Sequence, residues 1–373
     1  MKKRRINMNE QRYNRLFILI LTGWVLILIP SYTYAHETSG NEEIDAKGII
    51  FEHLQDGYWW HITTINEHHV SVYLPVIVRG SNGTWHLFSS SHIAEGQSYK
   101  GFYLSSGGKY EGKIVERNAN GEEVRPVDLS FTKNAFAIVF NSIVMIIIFL
   151  SVARWYKRHP RYAVPRGFVG LMEMFVMNIE EDVIRKCIGK DYARYSPYLL
   201  TAFFFIFINN VVGLIPIFPG GANTTGNIAV TLVLAICTMI AVNVFGNKAY
   251  WKEILWPDVP LWMKVPIPLM PVIELFGVLS KPFALMIRLF ANIMAGHTIT
   301  LALTSLIFIT AKMGVAMNAG MTLFSVFLSV FMNCLELLVA YIQAYVFTML
   351  SAVFIGLSRP EHHVKKIKEG KGV

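Results

Sequence analysis

Leu285-Met286-Ile287-Arg288-Leu289-Phe290-Ala291-Asn292 is the stretch on which the reading of this chain turns. It sets one guanidinium in the middle of a long apolar run. At bilayer depth an arginine costs about 2.5–3.5 kcal/mol on insertion scales. Its pKa lies above ~12, so it cannot shed the charge to escape that cost. Arg288 must therefore face protein or a wet cavity, and it needs an anionic counterpart.

The composition around it is that of a polytopic membrane protein. Of 373 residues, 53% are hydrophobic and 16% charged, whereas soluble chains carry roughly 25% charged residues. The net charge of +9 does not point to nucleic acid. Its basic residues gather in a few connecting segments, as membrane orientation requires. Cys187, Cys237 and Cys334 are too few and too scattered for a disulfide framework or a cysteine-based metal site.

Outward from Arg288, apolar helical patterns cover about 267–310 and 321–357. Each is near 40 residues, or ~60 Å of helix, too long to stand upright in a bilayer. Three ordinary passages precede them at about 135–153, 196–217 and 226–246. Arg154, Lys157, Arg158, Arg161 and Arg166 follow the first passage, and Lys248, Lys252 and Lys264 the third. Arg359, Lys365, Lys366, Lys368 and Lys371 lie at the end. Five passages from an exported N-terminus put all of these in the cytoplasm, and splitting one long helix would not. The expected fold class is thus an all-α polytopic membrane protein with five passages, two of them long, tilted, antiparallel helices. Pro282 is a candidate bend. Residues 164–194, with Glu173, Glu180, Glu181 and Asp182, read as an amphipathic cytoplasmic stretch with a solvated face.

Residues 1–35 have the layout of a signal peptide: Lys2, Lys3, Arg4 and Arg5, an apolar run from Leu16 to Pro30, then Thr33 and Ala35 before the cut. A retained short anchor is the alternative, and either one exports the next segment of the chain. Residues 36–132 read as a small β-rich exported (periplasmic) segment, with strand composition at Trp59–Ile65 and Val70–Leu74. Ser81-Asn82-Gly83 and Asn120-Gly121 read as hairpin turns. Its histidines, His53, His61, His68, His69, His86 and His92, have no ligand spacing, so no metal or cofactor is expected. The channel domain then spans 133–358, and 359–373 form a basic cytoplasmic tail.

Few polar groups occupy the long helices. Asn292 lies one turn from Arg288 on the same face, and His297 follows ~13 Å further toward the exported side. Glu336 and Gln343 are seven apart on the last helix, which runs the other way. Pairing the two brings Gln343 level with Arg288 and Glu336 level with His297. Asn209 and Asn210 add hydrogen-bonding capacity at that outer level; Asn209 alone reads as a group that holds helices together. Histidine titrates near neutrality, and so does a glutamate in a sufficiently dry setting. Arg288 can act only as a fixed charge. No carboxylate of this chain is an evident mate for it, which puts the missing anion on another subunit.

Pro282 through Asn292, closed by Ala295-Gly296, resembles the signature of the subunit a family of F-type rotary ATP synthases. Gly213-Leu214-Ile215-Pro216 after Asn210, and Gln343-Ala344-Tyr345-Val346-Phe347, are similar to the same family. The resemblance spans about 135–358. It implies a non-catalytic stator subunit of a bacterial inner membrane, with two offset half-channels against a rotating ring of c subunits that carry an essential carboxylate. It also implies b-type stator subunits and a soluble ATPase head as partners. Arg288 matches the arginine that keeps incoming and outgoing protons apart, Asn292 and Gln343 polar residues beside it, and Asn210 one at the outer half-channel. His297 and Glu336 match the outer pair in the order of mitochondrial members, reversed from many bacterial ones. Ala284 stands where some members have serine, and Gly213 where some have an acid.

Two other classes compete with that reading. A stand-alone secondary transporter or channel would show internal repeats with broken helices, and an intramembrane enzyme would need a motif such as HExxH. The sequence has neither.

Overall fold

The computed structural model describes residues 56–65, 68–118, 121–160, 162–215, 218, 220–256, 269–310 and 314–359. The expected signal peptide, residues 36–55 and the tail beyond Arg359 lie outside the described residues.

The β-rich region holds three small antiparallel sheets. β1 (Trp59–Ile65) pairs with β2 (His68–Tyr73). β3 (Pro75–Arg79) lies between β4 (Trp85–Ser89) and the short β8 (Val127–Asp128). β5 (Phe102–Leu104), β6 (Ile114–Arg117) and β7 (Glu123–Val124) form the third. Strand alternation sends Val76 and Val78 of β3 inward, where they meet Tyr58, Phe88, Ile93, Phe102 and Ile114 in one apolar core. The two hairpin turns lie where the sequence predicts them. Gly83 closes the β3–β4 turn at φ 79°, a left-handed conformation that glycine adopts without strain. Gly121, also left-handed, closes the β6–β7 turn.

The rest of the described chain is helical: α1 (Lys133–Arg158), α2 (Phe168–Met177), α3 (Arg185–Ile188), α4 (Tyr192–Gly213), α5 (Ile228–Val244), α6 (Lys248–Leu255), α7 (Leu269–Thr310) and α8 (Val315–Leu357). Four of its helical runs are long and apolar enough to cross a membrane, and the bent pair α5–α6 makes a fifth. α1 starts where Thr132 accepts a hydrogen bond from the Ala135 backbone N–H and Asp56 accepts one from Asn134. It ends with Lys157 and Arg158 in its last turn.

Two stretches differ from a plain series of spans. The expected third passage is a 17-residue helix that turns by 100° into α6 at Phe245–Asn247. Gly246 permits the turn because the Tyr250 ring and the Val242 carbonyl would crowd any side chain there. Residues 168–191 are also more than a surface helix. Between α2 and α3 they pass through π-helical turns at Asn178–Ile184, and Ile179, Val183 and Ile184 are fully buried. One face carries the solvated ion pairs Glu181–Arg185 and Asp182–Lys186, and the other joins the main helical core with Leu199, Phe203, Phe347 and Ile355.

α7 has 42 residues and continues through Pro282 without a break, and α8 has 43. At ~1.5 Å per residue each exceeds ~60 Å. Gly314 starts α8 at φ 106°, a conformation other residues rarely adopt, and this lets the chain reverse.

Candidate functional site

Three contacts fix the register of α7 on α8. Thr310 donates to Asn318 at 3.4 Å near the tip of the hairpin. Thr300 donates to Glu336 at 3.4 Å in its outer half, and the Lys281 ammonium lies 5.8 Å from the Phe354 ring near its base. Numbers that rise on one helix while falling on the other make the pair antiparallel. By the same register Gln343, buried in α8, falls opposite the turn from Arg288 to Asn292.

Glu336 is buried against Gly296. A methyl group on that glycine would lie 2.6 Å from the Glu336 Oε1 and 3.2 Å from its Cδ. The missing side chain at Gly296 is therefore what lets the carboxyl reach α7. Around it opens a cavity of about 160 Å³, with Asn210, Asn292, His297 and Glu336 in its wall. Four of the six predicted site residues, from three helices, share this one space. Its other walls are apolar, with Leu214, Ile293 and Met332 among them. A space that size has room for water beside its four polar side chains.

Arg288 and Gln343 are outside the cavity wall. Leu285, Met286 and Leu289 turn into the protein, while Arg288 lies on the opposite, exposed side of α7, together with Ala284, Ala291, Asn292 and Ala295. Among the described residues Arg288 has no hydrogen bond or ion pair. Asn292 touches both regions: it is exposed one turn from Arg288 and also lines the cavity.

Several other polar groups in these helices are paired, although the buried Tyr195 hydroxyl and Ser325 hydroxyl have no partner among the described residues. Asn141 of α1 donates to Asn209 at 2.9 Å, and Asn209 donates to the Phe205 carbonyl at 2.8 Å. Tyr198 and Ser351 both hydrogen-bond to Thr238, at 3.0 and 3.3 Å. These link α1 to α4, and α4 to α5 to α8. Asn210 stands between the two kinds. Its Oδ1 accepts from Thr225, while its buried Nδ2 has no partner among the described residues.

Sequence reasoning missed Thr300 and Thr225, and read Gly296 only as the close of the family signature. Thr300 and Gly296 had a usable signal, since Thr300 lies three residues after His297 and Gly296 four after Asn292 on α7. Thr225 had none, because it reaches Asn210 only through the fold of the loop between α4 and α5.

The sequence profile of a family described as ATP synthase A chain matches residues 137–356, which contain every residue of this constellation. The chain belongs to that family. It is similar to ATP synthase subunit a of Chlorobium phaeobacteroides, 41% identical over 242 residues, covering 63% of this chain and 67% of that one. The Myxococcus xanthus subunit is 39% identical over 252 residues (64% and 78%), and the Anaeromyxobacter one 33% over 347 (88% and 73%). That last alignment is longer than the helical region, so it takes in part of the β-rich region too. A second profile, described as a domain of unknown function, matches residues 49–134. As a member of the ATP synthase A chain family with four or five apolar spans, the chain is a multi-pass membrane protein. Gly213, where some members of the family have an acid, has a local cause: a Cβ there would lie 3.1 Å from the Ala222 carbonyl oxygen. The loop lies too close for a longer side chain.

Proposed function

We propose that the chain is the stator channel subunit, subunit a, of the membrane sector of a rotary ATP synthase. Two offset half-channels carry protons to and from a ring of c subunits, and the offset converts ion flow into rotation. The chain itself makes and breaks no covalent bond. The observation that carries this reading is Arg288, exposed on α7 with no partner among the described residues. A permanent cation in an apolar helix needs an anion, and an open face of alanines around it leaves room for a neighbouring helix that carries one.

The cavity of Asn210, Asn292, His297 and Glu336 is the outer half-channel in this reading. Protons enter it from the exported side, pass between Glu336 and His297, and reach a ring carboxylate beside Asn292. Arg288, with Gln343 opposite its turn, keeps that carboxylate ionised as it passes, because a neighbouring guanidinium lowers a carboxylate pKa by roughly 1–3 units. Protons riding the ring therefore cannot cross directly to the cytoplasmic exit. The drive is about 2.3 kcal/mol per charge per 100 mV.

Basic residues at one end of the helices, including Lys157, Arg158, Lys248 and Lys252, support a cytoplasmic assignment for that end. The β-rich region then lies in the periplasm of a bacterial inner membrane, and the C-terminus in the cytoplasm. Partners are the c ring, b-type stator subunits and, through the complex, the soluble ATPase head. Family membership favours this reading over a stand-alone transporter.

The test is Arg288→Ala in proteoliposomes that hold the assembled complex. ATP-driven proton pumping should fall to background while ATP hydrolysis by the head persists. Pumping at the wild-type rate would refute the barrier role.

A further inference from the structure

The β-rich region is fastened to the helices at two places. At the first, the Gly57 carbonyl accepts from the Lys133 backbone N–H at 2.8 Å and Asp56 accepts from Asn134 at 3.1 Å, both at the start of α1. At the second, the buried Trp60 of β1 donates its indole N–H to the Gly220 carbonyl at 3.1 Å. Its ring stands edge-on to Phe136 of α1, at 5.8 Å, and to Phe218, at 5.3 Å. Leu74, Ala137 and Ala222 complete this small apolar cluster.

Gly220 belongs to the loop between α4 and α5, which touches the cavity-lining Asn210 and residues next to the cavity wall. Ala222 sits on the end of α4 at Gly213. Asn223 reaches Met294 of α7 at 3.8 Å. Thr225, buried, donates to the Oδ1 of Asn210 and so fixes which way that amide points. The other end of the amide, Nδ2, is buried without an acceptor among the described residues, and Asn210 lines the cavity. A set of contacts thus runs from Trp60 through the loop that holds residues 220–225 to an amide in the cavity wall.

We propose that the β-rich region braces the mouth of the outer half-channel. Trp60 is the positioning residue through which it holds the 220–225 loop, and with it Asn210, at the cavity. The proposal rests on the channel reading given above. It assigns a role to the part of the chain that the profile of a domain of unknown function matches.

The experiment is ATP synthesis by the whole complex in proteoliposomes, with the pH of the compartment that faces the β-rich region varied under a fixed electrical potential. Trp60→Phe keeps an aromatic ring in the cluster and removes the N–H. It should raise the proton concentration needed for half-maximal rate about fivefold, the population factor of one hydrogen bond, so the midpoint moves about 0.7 pH unit toward acid. The rate at saturating proton concentration should not change. Asn210→Leu should shift the midpoint in the same direction. The pair Trp60→Phe with Asn210→Leu should shift it no further than Asn210→Leu alone, since one change acts through the other.

An unmoved midpoint in Trp60→Phe would overturn the brace. So would a shift that adds in full to that of Asn210→Leu, or a lower maximal rate at an unchanged midpoint, which marks a loss of assembled complex only. If Asn210→Leu and Arg288→Ala also leave synthesis as in wild type, the channel reading itself has failed.

Discussion

Asn141 and Asn209 hold each other between α1 and α4, whereas Arg288 on α7 has no partner among the described residues. All three are polar groups in helices that cross a membrane, yet they have opposite surroundings. The asparagine pair is buried and bridges two helices, and the Tyr198–Thr238–Ser351 set links three. The arginine is exposed, and His297 and Glu336 line a cavity, where Glu336 also accepts from Thr300 across the helix pair. In a bilayer a polar side chain that finds its partner within the chain holds helices together. A permanent charge left without one, as Arg288 is among the described residues, needs a partner from elsewhere. Pairing, more than polarity, separates structure from function here.

The strongest challenge to that contrast is at the cavity. Removing either ionisable group, His297→Leu or Glu336→Leu, should slow proton pumping about 10²-fold, a usual scale for losing a proton-transfer group. The exchange of His297→Glu with Glu336→His should recover part of the rate. If pumping is untouched by the single changes, these residues belong with the structural group.

Next in size is Gly296→Ala. The added methyl would lie 2.6 Å from the Glu336 carboxyl and displace it, and overpacking of this kind costs typically 1–3 kcal/mol. We expect pumping about tenfold slower, with partial rescue by Glu336→Asp, whose shorter side chain vacates the space. No rescue would mean that Gly296 matters for helix packing and not for the carboxyl.

Asn141→Leu probes the other side of the contrast. It takes a donor from Asn209, and an interhelical hydrogen bond of this kind is worth about 0.6 kcal/mol, at most ~1.7. The complex should unfold at a slightly lower temperature and pump normally per assembled complex. A pumping defect at unchanged stability would put the pair in the proton path.

The smallest effect belongs to the β-rich region. Tyr58 is buried and donates to Asp128 at 2.6 Å. Burial first, and then the neighbouring carboxylate, push its pKa well above the ordinary tyrosine value of ~10. The folded state therefore favours the protonated phenol. Its contribution is complete below pH ~10 and is lost as the pH rises beyond it. Tyr58→Phe should lower the stability of this region by about 1 kcal/mol and flatten the alkaline end of its unfolding curve. An unchanged alkaline limb would show that this phenol is not the group responsible.

Much of the helical architecture was legible in the residues. Run lengths of apolar sequence and the placement of arginine and lysine require passages and two overlong helices, because hydrocarbon thickness and charge are one-dimensional constraints. The spacing of Arg288, Asn292 and His297 along one strand of helix was legible for the same reason. The 100° turn after Val244 and the π-turns at Asn178–Ile184 were not, since neither a glycine such as Gly246 nor the acidic run Glu180-Glu181-Asp182 specifies an angle or a helix type. Thr225 on Asn210, and Trp60 on Gly220, were not either.

The sequence by itself determined that a permanent cation and two titratable groups share a pair of antiparallel helices, because periodicity and apolar length act within one segment. Only the tertiary structure decided which polar groups meet partners and which face open space. That depends on the loop between α4 and α5, which meets Trp60 at Gly220 and Asn210 at Thr225, and no local rule encodes where a loop comes to rest.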